Sequence, residues 1–242
     1  MSRLVLHVLR GIAIVWLLFP RVSRLHRNEF KQTWSRQLVG LLGIRMANMP
    51  ITLPGASLIV SNHISWLDIF VINALTQTHF VCKDDVRKWP ILGWLVKNTD
   101  TVFIERGNRT AAAHTARALC DQLDSGERVT VFPEGTTSNG TTLLPFHAAL
   151  LQAATQCNAP VVPLALSYVN EHGIRSMAPA YDGDITLWQC LRAICLAQGI
   201  HVEVKVLPSI ASDIGRRKIA GEAYQQIATA LGMPDLLAAS RK

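Results

Sequence analysis

A chain of 242 residues, about half of them apolar (49%), is long enough for one substantial core. Lys and Arg exceed Asp and Glu by seven, but eight basic residues and one acid fall within residues 1–45, so the remainder is electrically balanced. A balanced body with no basic stripe and no nucleic-acid motif argues against a nucleic-acid binder. The five cysteines (Cys82, Cys120, Cys157, Cys190, Cys195) form no CxxC pair, so they read as buried free thiols rather than a disulfide framework or zinc site.

Leu4–Phe19 is apolar except for His7 and Arg10. As a helix it would be about 24 Å long, short of a hydrocarbon core of roughly 30 Å. Pro20-Arg21 follows instead of a small-residue cleavage site, so an uncleaved segment dipping into one leaflet is expected, with a single span as the alternative. The next stretch has a helical face of Phe30, Trp34, Leu38 and Leu41 and another of Arg24, Arg27 and Lys31. Beside the apolar segment, that basic face is expected to lie on an anionic membrane surface; the plainer alternative is a helix packed on the domain with a solvated basic side. Residues 1–45 are therefore read as a helical membrane-associating arm ahead of a domain at 46–242.

Met49-Pro50 and Pro54-Gly55 mark entry to that domain. Strands are expected at Leu58–Val60, His79–Lys83, Thr101–Ile104, Arg128–Phe132, Val161–Tyr168 (interrupted by Pro163) and His201–Leu207. Helices are expected at Trp66–Leu75, Trp89–Lys97, along the stripe Ala112, Ala116, Leu119 and Leu123 up to Gly126, and at Phe146–Thr155, Leu187–Gln198 and Arg216–Leu231. Alternating strands and helices imply an α/β fold: a single domain with a mixed, largely parallel central sheet flanked by helices.

Three strands run into unusual polar endings: Asn62-His63, Glu105-Arg106-Gly107 and Pro133-Glu134-Gly135-Thr136-Thr137. Ligands of open α/β sheets bind beyond the carboxyl ends of the strands, so one cleft is expected to gather all three. His63 and Asp68 suit a general base and its orienting carboxylate, provided His63 bends back over the first helical turn. Ser65-x-x-Asp68 is also a capping-box-like helix start, which would explain Asp68 without chemistry. Arg106 reads either as a clamp for a phosphate or carboxylate or as a surface partner of Glu105. Gly135 lets the backbone approach a ligand, and Glu134 beside it is a carboxylate between apolar elements that needs a reason. There is no GxSxG elbow, no HExxH and no GxGxxG or Walker loop.

Taken together, these residues resemble the PlsC-like glycerolipid acyltransferases, which include the 1-acylglycerol-3-phosphate and other lysophospholipid acyltransferases. His63-Ile64-Ser65-Trp66-Leu67-Asp68 matches the family's HxxxxD block, and Phe103-Ile104-Glu105-Arg106 is similar to its second block. Phe132-Pro133-Glu134-Gly135-Thr136 matches FPEGT, and Val161-Val162-Pro163-Leu164 resembles the proline-centred fourth. The resemblance covers about residues 45–210. It implies transfer of a fatty acyl group from acyl-CoA or acyl-carrier protein to a lysolipid hydroxyl, with 1-acylglycerol-3-phosphate the leading acceptor. It assigns His63 as base and Asp68 as its orienting partner. It assigns Arg106, Glu134, Gly135, Thr136 and Lys83 to acceptor binding, and amides near Gly135 are a candidate for holding the oxyanion. No bound cofactor or metal is expected. Membrane association is expected on the cytoplasmic side. Thr137 departs from the FPEGTRS of many lysophosphatidic acid enzymes and looks like branches that acylate lyso-ornithine lipid or lysophosphatidylcholine. A silent lipid-binding module and a thioesterase are the other readings.

Overall fold

The computed structural model describes residues 2–46, 51–83, 92–104 and 109–234. Five parallel strands form most of one sheet: β2 (Ser57–Ser61), β3 (His79–Lys83), β4 (Val102–Ile104), β5 (Arg128–Val131) and β6 (Val161–Val169). Two more, β1 (Arg45–Met46) and β7 (His201–Val206), run the other way, in the order β1-β7-β6-β2-β5-β3-β4. The sheet is thus mixed and largely parallel, as the alternation implies. β2 stands fourth of seven, and every residue of it is buried. Its run Leu58–Val60 is apolar on both faces because both faces are covered by helices.

One apolar layer lies between the sheet and helices α2 (Arg24–Leu41), α3 (Leu67–Leu75) and α7 (Leu187–Leu196). It joins Leu38, Ile59, Val71, Leu166, Tyr168 and Ile194. The opposite face carries α5 (Arg109–Asp124), α6 (Gln152–Gln156) and α8 (Arg216–Ala230), packed through Leu58, Leu119, Leu151 and Tyr224. A short α4 (Leu92–Lys97) precedes β4. The expected helix over Phe146–Thr155 starts later, as a 3-10 turn at Ala148–Leu151 leading into α6. Pro163 does not interrupt β6. Its carbonyl accepts from Leu207 N at 2.9 Å, so its missing N–H faces the side where the β7 ladder has already ended at Leu164–Val206. Cys190 is buried as expected, whereas Cys82, Cys120 and Cys157 are half-buried and Cys195 is exposed.

The N-terminal segment begins as α1 (Ser2–Ala13) and continues through a π turn and a 3-10 turn, giving helix over Ser2–Arg21 that is long and apolar enough to cross a membrane by length and composition. It folds back along α2. His7 stacks on Trp34 at 4.5 Å, and their side-chain nitrogens exchange bonds with each other's carbonyls, both at 3.1 Å. A Cβ on Gly11 would lie 2.6 Å from Trp34 Nε1, so this close crossing requires glycine. Val5, Leu6, Leu9, Trp16 and Leu17 face outward and are exposed.

The basic face of α2 does not lie free for a membrane. Arg24 pairs with Glu127 at 3.4 Å, and Arg27 and Lys31 approach Asp100 at 4.0 and 3.7 Å. Glu127 also receives Asn28 Nδ2 at 3.2 Å and faces His79 at 3.3 Å. Burial pushes the Lys31 ammonium below its ordinary range, against the pull of Asp100 and Glu127. The helix is held to the domain because its basic residues find two acids at the loops entering β4 and β5, a contact invisible in a helical wheel.

Candidate active site

β2 ends where its side chains turn polar. Asn62 extends the strand without extending its backbone: its Nδ2 donates to Leu166 O at 2.9 Å, and its Oδ1 accepts from Leu166 N at 2.8 Å. The side-chain amide thus replaces one rung of ladder to β6 and frees the main chain to turn. His63 follows. Its N–H donates to Glu134 Oε1 at 2.6 Å, and its carbonyl accepts from Ser138 N at 2.8 Å. Both backbone groups of His63 are therefore tied to the turn after β5.

The imidazole stacks on Phe132, with centroids 3.9 Å apart and planes 12° from parallel. Its Nδ1 lies 2.9 Å from Asp68 Oδ2. A carboxylate only accepts, so Nδ1 carries the proton and Nε2 is left as the basic nitrogen. The same Oδ2 also accepts from Ile64 N at 2.7 Å and Ser65 N at 2.9 Å. His63 thus bends back over the first turn of α3, the geometry that a five-residue spacing demanded. The capping role coexists with it: Ser65 Oγ accepts from Leu67 N at 3.3 Å while Asp68 reaches back to Ser65 N. Asp68 is fully buried and the His63 side chain 17% exposed, so the carboxylate is dry and the ring reaches solvent.

Glu134 is 4% exposed. Its second oxygen accepts from Leu144 N at 2.9 Å, so it binds two backbone amides from two different segments. Burial pushes the carboxyl up to about 7, against those two amide donors. Gly135 takes φ of +69°, which a side chain rarely adopts, and a Cβ there would lie 3.4 Å from the His147 ring. Its own amide donates to Phe132 O at 3.1 Å within the turn, so that amide is not the oxyanion donor. Thr136 is exposed at the rim, and Thr137 Oγ1 donates to the carbonyl of Tyr181. Tyr181 N in turn donates to Ile64 O at 2.9 Å, so the segment before α7 is bonded to the turns after both β2 and β5.

The sequence-expected residues His63, Asp68, Glu134, Gly135 and Thr136 are brought together beyond the ends of β2 and β5. Lys83 closes β3, a neighbour of β5; the position of its side chain lies outside the description. Arg106 and its neighbours Glu105 and Gly107 lie outside the described residues. Three participants were missed. Phe132 is the ring's platform, Asn62 is the splice to β6, and Tyr168 donates its hydroxyl to Asp68 Oδ1 at 2.8 Å. Of these, only Tyr168 had a signal of its own, a hydroxyl in the alternating row Val162, Leu164, Leu166. Among the described residues no group of His, Cys, Asp and Glu could hold a metal ion.

A histidine with its Nε2 left as acceptor and an oriented carboxylate at a strand end can take a proton from a hydroxyl, which acyl transfer to a hydroxyl needs. Relatives point the same way. A 1-acyl-sn-glycerol-3-phosphate acyltransferase of Neisseria gonorrhoeae is 40% identical over 151 residues, covering 62% of this chain and 59% of that protein. The chain therefore spans less than two thirds of that relative's length. A lyso-ornithine lipid O-acyltransferase of Brucella abortus is 34% identical over 198 residues, covering 73% of this chain and 74% of that one. The crystal structure of PlsC from Thermotoga maritima superposes with a TM-score of 0.63 over 96% of this chain and 95% of that one. At 18% identity that likeness concerns the fold alone. Residues 44–167, which hold the His63–Asp68 pair and the Glu134-Gly135 turn, match the family model described as Acyltransferase, and the chain belongs to that family.

Proposed function

We propose that this chain transfers a fatty acyl group from acyl-CoA or acyl-carrier protein to the free hydroxyl of a lysolipid, with 1-acylglycerol-3-phosphate as the acceptor. The observation that carries this reading is the 2.9 Å contact between His63 Nδ1 and the buried Asp68, which leaves Nε2 as the base. The acceptor hydroxyl gives its proton to Nε2 as its oxygen attacks the thioester carbonyl carbon. The tetrahedral intermediate collapses, the C–S bond breaks, and the departing thiolate takes the proton from the imidazolium, restoring neutral His63. Asp68 keeps the tautomer and stabilises the imidazolium. The thioester already activates the acyl group, so the reaction needs no acyl-enzyme and no bound cofactor. Arg106 holds the acceptor phosphate, Lys83 adds charge, and Gly135 and Thr136 line the acceptor side. Glu134 serves that side by fixing the turn.

A second acceptor, lyso-ornithine lipid, is favoured by Thr137, which hydrogen-bonds Tyr181 where an arginine would add a cation. The membrane contact is the outer face of α1, lying in the interface of an anionic bilayer. That α1 runs along α2 through His7, Gly11 and Trp34, with α2 packed on the domain, supports an interfacial placement over a single span. The active site faces the cytoplasm, where the water-soluble acyl donors are.

His63→Ala is expected to lower kcat by about 10²–10⁴-fold, the usual contribution of a general base. An acceptor panel with both donors, comparing 1-acylglycerol-3-phosphate with lyso-ornithine lipid, identifies the substrate. Turnover retained in His63→Ala refutes the mechanism, and no turnover of any lysolipid by the unaltered chain refutes the activity.

A further inference from the structure

We infer that Tyr168 is a positioning residue for the reaction, setting the orientation and hydrogen-bond strength of Asp68 and through it the base His63. The inference rests on the reading of His63 as base and extends it to a residue one hundred positions beyond Asp68. β6 presents Val162, Leu164, Leu166 and Tyr168 to the same apolar layer. A phenylalanine would fill the ring's place in that row, so the hydroxyl is the part that needs a reason. A buried hydroxyl without a partner is costly, and the partner of this one is Asp68 Oδ1, at 2.8 Å.

The geometry that brings them together is built in two steps. The Asn62 side chain binds both backbone groups of Leu166, which locks the register of β6 against the end of β2. Two residues further on, on the same face of the strand, Tyr168 then stands beyond the end of β2 over the first turn of α3. There the Asp68 carboxylate has Oδ2 occupied by His63 Nδ1, Ile64 N and Ser65 N, and Oδ1 by Tyr168. Without the hydroxyl, Oδ1 would lose this donor in a fully buried place and the carboxylate would gain freedom to rotate. Burial and the Asp68 charge push the Tyr168 phenol well above its ordinary range, so it remains a donor throughout the working pH range.

A donor on Oδ1 also weakens Oδ2 as an acceptor. Removing it strengthens the pull of Asp68 on the His63 Nδ1 proton and favours imidazolium. The acid limb of the kcat/KM profile, below which the base is protonated, should then move to higher pH. Among the described residues, the other titratable groups facing this cluster are Glu134 from the turn after β5, which binds His63 N, and Cys190 from α7, beside Trp66 and Ser65. His147 lies across Gly135. None of these is altered by the substitution, so the shift relative to the unaltered enzyme reads the Tyr168 hydroxyl.

The test is a pair of variants. Tyr168→Phe should lower kcat roughly tenfold, with KM little changed, the loss expected from one hydrogen bond to a charged group. Its acid limb should move to higher pH. Placing 3-fluorotyrosine at position 168 keeps ring and hydroxyl but makes the phenol a stronger donor, and should move the limb to lower pH. A Tyr168→Phe protein of normal stability with unchanged kcat and limb overturns the inference. If Tyr168→Phe folds poorly, the fluorotyrosine protein decides alone, and an unshifted limb there overturns it. Activity surviving in His63→Ala is a separate failure, of the base itself.

Discussion

Asp68 and Glu134 are both buried carboxylates, and they grip the His63 segment from opposite sides. Asp68 takes the ring and the two amides after it, while Glu134 takes the His63 amide and ties it to Leu144. Glutamine at 134 offers one acceptor oxygen where two amides need one each. Above pH 7, where both oxygens of the ionised carboxyl accept, Glu134→Gln should therefore cost about 1–3 kcal/mol of stability by denaturant unfolding, the usual penalty for a buried unsatisfied donor. It should lower kcat as well, since His63 loses its backbone anchor. The pH dependence has a definite sign. The folded carboxyl sits at about 7 against an ordinary value of 4.5, so the folded state binds the proton more tightly than the unfolded chain. Its contribution is fully present below 4.5 and is lost as pH rises to about 7. Stability relative to Glu134→Gln should fall by up to about 3 kcal/mol over that window and then level off, measured by unfolding at a series of pH values.

At the scale of elements, α1 is held by a small interface in which one glycine decides the distance. A side chain on Gly11 would meet the Trp34 indole, itself stacked on His7 and 5.6 Å from Phe70 of α3. Gly11→Val should push α1 off α2 while leaving the sheet and the turns after β2 and β5 in place. The expected result is faster tryptic cleavage after Arg10 and Arg21, with turnover of a short-chain, water-soluble acceptor retained. Unchanged cleavage would show that α1 is held by contacts other than this crossing. α7 is fixed at its N-terminus and by one sulfur contact. Thr186 and Gln189 form a capping box at its start, and Cys190 meets Trp66 Nε1 at 3.4 Å, so a helix with no motif of its own packs beside the turn after β2.

At the scale of the molecule, one side carries the apolar α1 face while Arg24, Arg27 and Lys31 of α2 are spent on Glu127 and Asp100. Membrane binding should then depend more on apolar insertion than on charge. Leu6 and Leu9 are 68% and 56% exposed, so the double change Leu6→Glu/Leu9→Glu should leave thermal stability intact. It should sharply reduce flotation with anionic vesicles, because two buried leucines contribute roughly 3–6 kcal/mol when fully removed from water. Equal flotation of the double variant would place the membrane contact elsewhere on the molecule.

Several features of this protein follow from local order along the chain. The apolar run Leu58–Val60, the break at Asn62-His63 and the apolar helix after Ser65 are short-range patterns, governed by burial period and capping. They were enough to place His63 and Asp68 on one strand–turn–helix unit and the Glu134-Gly135 turn at another strand end. The α/β alternation likewise made the layered sheet legible. Contacts between distant segments were not legible, because a single sequence carries no term for which strand lies beside which. The packing decided that Tyr168 reaches Asp68, that Asn62 locks β2 to β6, and that Glu134 binds amides. It also paired Arg24, Arg27 and Lys31 with Glu127 and Asp100 and let β6 run unbroken through Pro163. A hydroxyl, an amide or a charge declares its type in the sequence, but the partner that satisfies it is chosen only when the strands take their places in the sheet.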